Sequence, residues 1–286
     1  MTQSLHLATL GRRVALGIAL AAATTAASHA AFVTFESVGG NVAAITPTRD
    51  AFRTAVGGGT VGAANGSFGG VRREINWDGV PDALSDPTAL PANFFNVNSP
   101  RGVVFSTPGT GFLVSANAGL APPILFGFSD QFQTFSSQKL FTAVNSTITD
   151  VAFFAPGTTN AATTSAFGVI FTDVELANLT RIDFFDVDNF LIFTRDALVA
   201  GNKGLSFVGA VATAGERIGR VRITSGANTI VSNSVLGTPT ADVVAMDDFL
   251  YAEPARIPEP GSMSLVGLAL AAMGMGWLRR RRSMAA

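Results

Sequence analysis

The chain has 286 residues, with 19 Lys and Arg against 20 Asp and Glu, two histidines and no cysteine. The missing cysteine excludes disulfides, thiolate metal sites and cysteine nucleophiles. Both histidines, His6 and His29, fall in an N-terminal leader, so without it the chain has no histidine triad, histidine zinc site or histidine base. Residues 31–278 hold 13 basic and 20 acidic side chains, a net of −7 that repels nucleic acid and anionic lipid heads and attracts cations such as calcium.

Residues 1–30 read as a signal helix. Arg12 and Arg13 form a positive n-region, Val14 to Ala23 is a short apolar run, and Ser28-His29-Ala30 supplies the small residues that signal peptidase reads. The expected cleavage lies between Ala30 and Ala31. The other reading, a permanent N-terminal membrane helix, needs a longer apolar run.

Residues 31–252 read as one all-β domain, large enough to rest on its hydrophobic core. The predicted strands are Phe32–Glu36, Gly102–Ser106, Phe112–Ser115, Ile124–Phe128, Asp150–Phe154, Phe167–Thr172, Arg181–Asp186, Phe190–Thr194, Leu205–Val211, Arg217–Thr224 and Asp242–Tyr251. Several alternate strictly: Ile218 and Arg220 face opposite ways, and Arg220, Arg222 and Thr224 share a polar face. Pro108-Gly109, Pro156-Gly157 and Ser225-Gly226 supply turn chemistry. Many short strands between such turns predict an antiparallel β-sandwich of jelly-roll type, with 23 phenylalanines providing core bulk. One helix is expected, capped by Thr46, with Pro47 at its first position and Gly57 after its end. The glycine-rich stretch that follows, Gly57-Gly58-Gly59 and Gly62 to Gly70, lacks the lysine-serine or lysine-threonine ending of a P-loop.

Three constellations carry candidate chemistry. In Arg72-Arg73-Glu74-Ile75-Asn76-Trp77-Asp78-Gly79, an exposed Trp77 beside Asp78 would stack on a sugar and bond its hydroxyls; the other reading is a core tryptophan before an Asp-Gly turn. Asn93, Asn96, Asn98 and Arg101 follow in a polar loop that could share that rim. Asp183 to Asn189 reads as a hairpin turn around Asp188-Asn189, because an EF-hand counted from Asp186 would place Phe190 and Leu191 where an oxygen ligand and a glycine are needed. Lastly, Glu36 on the opening strand and Asp247-Asp248 on the closing strand offer three carboxylates, a plausible start for calcium, although adjacent strand residues face opposite ways. Phe35-Glu36 with Met246-Asp247-Asp248-Phe249 resembles the calcium-containing jelly rolls of carbohydrate-binding modules and lectin-like domains. That resemblance implies a structural calcium where first and last strands meet.

Residues 253–261 form a linker with Pro258-Glu259-Pro260, and residues 262–282 form a transmembrane helix with an arginine end. Ser262 to Leu278 is 17 residues without a charge, Trp277 suits an interface, and Arg279, Arg280, Arg281 and Arg282 hold that end at the cytoplasmic side. The tripeptide, glycine-rich apolar stretch and arginine cluster resemble the PEP-CTERM sorting signal of Gram-negative bacteria that make extracellular polysaccharide. The resemblance implies passage through the inner membrane, recognition by exosortase, processing near Pro258-Glu259-Pro260, and delivery to the cell surface or its matrix. The body also resembles uncharacterised exported domains that often carry this tail, a resemblance that brings no activity with it. The expected function is therefore a non-enzymatic surface or matrix protein that binds extracellular polysaccharide and takes calcium. The alternatives are a carboxylate-dependent polysaccharide hydrolase, which needs no histidine, and a purely structural matrix protein.

Overall fold

The computed structural model of the chain describes residues 31–59, 62, 66–116, 125–231, 235–236 and 242–257. The signal helix with Ala30, the Pro258-Glu259-Pro260 motif and the arginine-terminated tail lie outside the described residues. Among the described residues no helix is long and apolar enough to cross a membrane.

The chain is mostly β. In order, the strands are β1 (Phe32–Gly39), β2 (Ser67–Phe68), β3 (Arg72–Ile75), β4 (Val103–Ser106), β5 (Gly111–Val114), β6 (Phe141–Val144), β7 (Ile148–Phe153), β8 (Ala162–Thr163), β9 (Ala166–Thr172), β10 (Arg181–Phe185), β11 (Leu191–Asp196), β12 (Leu205–Ala212), β13 (Arg220–Thr224), β14 (Ile230–Val231), β15 (Val235–Leu236), β16 (Ala245–Ala252) and β17 (Ala255–Arg256). The larger sheet runs β1-β12-β9-β16-β6-β14-β15, with β3 also on β16, β2 on β3 and β5 on β6. The smaller runs β11-β10-β13-β7-β4. Strand pairs are antiparallel except for the parallel contact of β14 with β6.

The inner faces of both sheets feed one core. Phe105, Phe153, Phe184 and Val221 of the smaller sheet join Phe141, Phe167, Val169 and Phe249 of the larger. Period-two alternation explains the sorting: in β9, Phe167, Val169 and Phe171 enter this core while Ala166 and Ile170 point outward. That outer face is covered by α1 (Val42–Val56), whose Phe52 meets Phe35 and Phe207 edge-on at 5.7 Å. Covered on both faces, β9 is buried along its whole length, hence its unbroken apolar sequence. On the smaller sheet the outer face is polar. Arg220 and Arg222 share Asp150, at 2.6 and 2.9 Å, while Val221 and Ile223 are buried.

Three expectations are corrected. The helix starts five residues before Pro47, because Asn41, not Thr46, caps it by accepting from Ala44 N at 3.1 Å. Pro47 sits inside α1 on an exposed turn, where water can take the place of its missing N–H. Within the expected strand Ile124–Phe128, the described residues Leu125–Gly127 form a 3-10 turn with Phe126 at a φ of 58°. Finally, the opening strand β1 does not neighbour β16, since β12 and β9 lie between them. The Asp188-Asn189 hairpin is as expected: β10 pairs with β11, and Asp186 Oδ1 accepts from the amides of Asp188 and Phe190 at 2.9 Å.

Candidate functional site

The three expected metal ligands are not brought together. Glu36 is opposite Val208, which is opposite Val169, which is opposite Phe249, so Glu36 lies three strands away from the end of the Asp-Asp pair, roughly 14 Å at about 4.8 Å per strand. Its carboxylate is taken by Arg195, at 2.6 and 2.5 Å. Among the described residues there is no group of three or more His, Cys, Asp or Glu disposed to hold a metal ion.

Of the two readings of Trp77, the glycan-stacking one is corrected and the core one holds. It is 1% exposed and lies flat on Phe141, with ring centroids 4.0 Å apart, while its Nε1 donates to the Asp247 carbonyl at 2.8 Å. A ring with a phenylalanine on its face and no solvent contact cannot stack on a sugar. Asp78 does open the turn that follows. Its Oδ1 accepts from Lys139 N at 3.1 Å, and burial, reinforced by the Asp248 charge, pushes its carboxyl up to about 6. In the polar loop, Asn96 is buried and spent on the Gly157 amide and the Thr158 carbonyl. Lys139 is tied to Val80 O, Asp82 and Ser85, and Tyr251 donates to Arg101 O at 3.0 Å.

A different carboxylate arrangement emerges at β16. Phe171 faces Met246 and Val169 faces Phe249, so both Asp247 and Asp248 stand opposite Ile170 alone. This is a β-bulge, two residues against one, and it breaks the rule that neighbouring strand residues face opposite ways. The two carboxyls consequently interact. Asp247 is fully buried; its Oδ2 accepts from Phe135 N at 2.6 Å and its Oδ1 from Ser136 Oγ at 2.9 Å. Burial, then the Asp248 charge, holds Asp247 well above the usual carboxylate range, and burial raises Asp248 as well. Two buried carboxyls so close cannot both ionise, so they act as a proton-sharing pair.

Asp248 lies on the wall of a cleft of about 560 Å³; it is 4% exposed, and its buried Oδ1 has no hydrogen-bond partner. Arg49, Arg53, Arg101, Glu74, Asn76 and Ser136 supply the cleft's other polar groups, and Phe68 and Phe135 its ring faces. Glu74 arrives on β3, paired with Leu250 of β16. It is gripped by Arg53 Nε at 2.8 Å and Nη2 at 2.5 Å, and by Arg72 Nε at 2.7 Å. Arg49 pairs with Asp50 at 2.7 Å and lies over Phe135 at 4.8 Å, while Arg101 Nε donates to the Glu74 carbonyl at 3.1 Å. Calcium wants six to eight oxygens, and three guanidiniums on the same walls oppose it. The arrangement suits a polar ligand carrying both donors and acceptors.

Sequence reasoning found Asp247, Asp248 and Arg101 but missed Glu74, Arg49, Arg53 and Ser136 as their companions. One signal was present: an acid within a charged run just before Trp77 marks a strand whose polar side chains are paired rather than solvated. No family model matches the chain, and no curated protein matches it either.

Proposed function

We propose that the chain is a non-enzymatic, exported surface or matrix protein that binds polysaccharide at the Asp248 cleft of a jelly-roll-type sandwich. The observation that carries the reading is the bulge, which places Asp248 on the wall of a concave site lined by arginines, an amide, a hydroxyl and aromatic faces. Sugar hydroxyls both donate and accept, and such a mixed lining can match them. Strand order supports the jelly-roll reading. β3-β16-β9-β12 in one layer and β7-β13-β10-β11 in the other is the order of two interleaved Greek keys. In that set β3 and β16 are the first and last strands, so the acid beside the Asp-Asp pair is Glu74, in the place expected of Glu36 but held by arginines.

Export is supported at the other end of the body. Ala31 N lies 2.6 Å from Glu216 Oε1, and Ala31 O accepts from Thr213 N at 2.9 Å. Cleavage after Ala30 would make that nitrogen an ammonium already facing a carboxylate. The sorting signal in residues 258–282 remains part of the proposal, with exosortase as the processing partner.

A hydrolase is the second reading, favoured by the proton-sharing pair beside Glu74, since two carboxyls of unequal acidity can supply an acid and a base. A glycan screen separates the readings. A binder retains at least one polysaccharide unchanged and loses about tenfold in affinity when Asp248→Ala removes the carboxyl from the cleft wall. New reducing ends that vanish in Asp248→Asn would establish the hydrolase, and no retention at all would leave only a structural matrix role.

A further inference from the structure

The Asp248 cleft does not stop at Arg53. A second cavity of about 590 Å³ is lined by Asp50, Arg53, Thr54, Gly57, Gly59, Phe68 and Arg72. Arg53 and Phe68 line both spaces, so the two adjoin across that pair along the C-terminal half of α1 and β3. Each alone has the size of a small-molecule pocket, so together they exceed what one sugar ring needs. The far wall is built tightly. A side chain at Gly58, where φ is +95°, would sit 2.3 Å from the Phe68 carbonyl, and Arg72 holds the loop by donating to the carbonyls of Gly57 and Gly59.

The charge of this groove runs against the rest of the body. Arg49, Arg53, Arg72 and Arg101 line it, four of the 13 basic side chains in residues 31–278. Facing them are Asp50, Glu74 and Asp248. A body with a net of −7 thus gathers guanidiniums at one concave site; Arg72 is buried and spent on Glu74 and the loop carbonyls, which leaves Arg49, Arg53 and Arg101 to meet carboxylate or sulfate oxygens. Arg72 lies over Phe68 at 4.7 Å, so its flat face is braced rather than mobile.

We infer that the groove takes several consecutive residues of an acidic polysaccharide, with its acidic groups on Arg49, Arg53 and Arg101. This rests on the glycan-binding reading above and specifies its ligand class. The test titrates the purified full chain with a polyuronate, a sulfated polysaccharide and an uncharged dextran of matched length, and with polyuronate oligomers of increasing length. One acidic polymer should bind at least about tenfold tighter than dextran, and about 0.5 M salt should remove most of that preference. The preferred acidic polymer identifies whether carboxylate or sulfate is read. Affinity should climb with oligomer length before levelling, and Arg49→Gln should weaken acidic polymers severalfold. Arg101→Gln serves if the first variant does not fold. Equal or tighter binding of dextran would overturn the inference while leaving glycan binding intact, as would a monomer that binds as tightly as the oligomers. Retention of no glycan would remove the underlying reading as well.

Discussion

Asp173 is buried and accepts from Lys203 N at 2.9 Å. Burial, reinforced by Glu175, Asp242 and Asp130, pushes its carboxyl up to about 7, while Asp78 is pushed to about 6 and Asp247 is raised as well. Unfolded aspartate titrates near ~3.9, so across about pH 4 to 7 the folded chain keeps protons that the unfolded chain has released. Protonation of these groups therefore stabilises the fold at the acid end of that window, and the contribution is lost as pH rises through the folded values. Thermal melts at about pH 5 and 7.5 should show the parent losing more stability on the alkaline side than Asp173→Asn does. Parallel pH profiles for the two would contradict the assignment. At this scale the sequence offered two readings of Trp77, and the structure takes the core one: Asp78 and Asn76 belong to the turn, and the ring itself is buried.

Among the elements, alternation carried most of the legible information. β10 and β13 were found because an apolar side chain and a charged one take turns, and the register bears this out with Val221 and Ile223 inside and Arg220 and Arg222 outside. β3 was missed because Arg72-Arg73-Glu74-Ile75 looks solvated, yet Arg72 and Arg73 are buried in ion pairs with Glu74 and Glu253. β6 was missed, and Leu125–Gly127 wrongly taken for part of a strand, because short apolar runs have no period to read. The bulge in β16 was illegible for another reason: it exists only relative to the partner strand β9. The capping of α1 carries its own test. Asn41→Ala removes the acceptor for Ala44 N and should cost about 1 kcal/mol in denaturant unfolding, whereas Thr46→Ala should cost less, since its hydroxyl donates to Val42 O inside the helix. The reverse order would restore Thr46 as the cap.

For the molecule as a whole, the net of −7 in residues 31–278 and the paired sheets describe a β body without disulfides. Two layers with α1 over one of them give a core large enough to do without cross-links. The fold class could be read from strand spacing and turn residues, but the site could not, because it depends on which strands lie together. Under the sorting proposal, mass spectrometry of mature surface protein should find Ala31 as the first residue and a C-terminus near Pro258-Glu259-Pro260. An intact Arg279–Arg282 cluster would argue for a permanent anchor.

The central claim is that the bulge at Asp247-Asp248 creates a polysaccharide site, and electrophoresis of the full chain through gels containing an acidic polysaccharide tests it most directly. The parent chain should be retarded by the polymer, and Asp248→Ala, with its fold confirmed by circular dichroism, should be retarded clearly less. Equal migration of parent and variant in the polysaccharide gel would contradict the account.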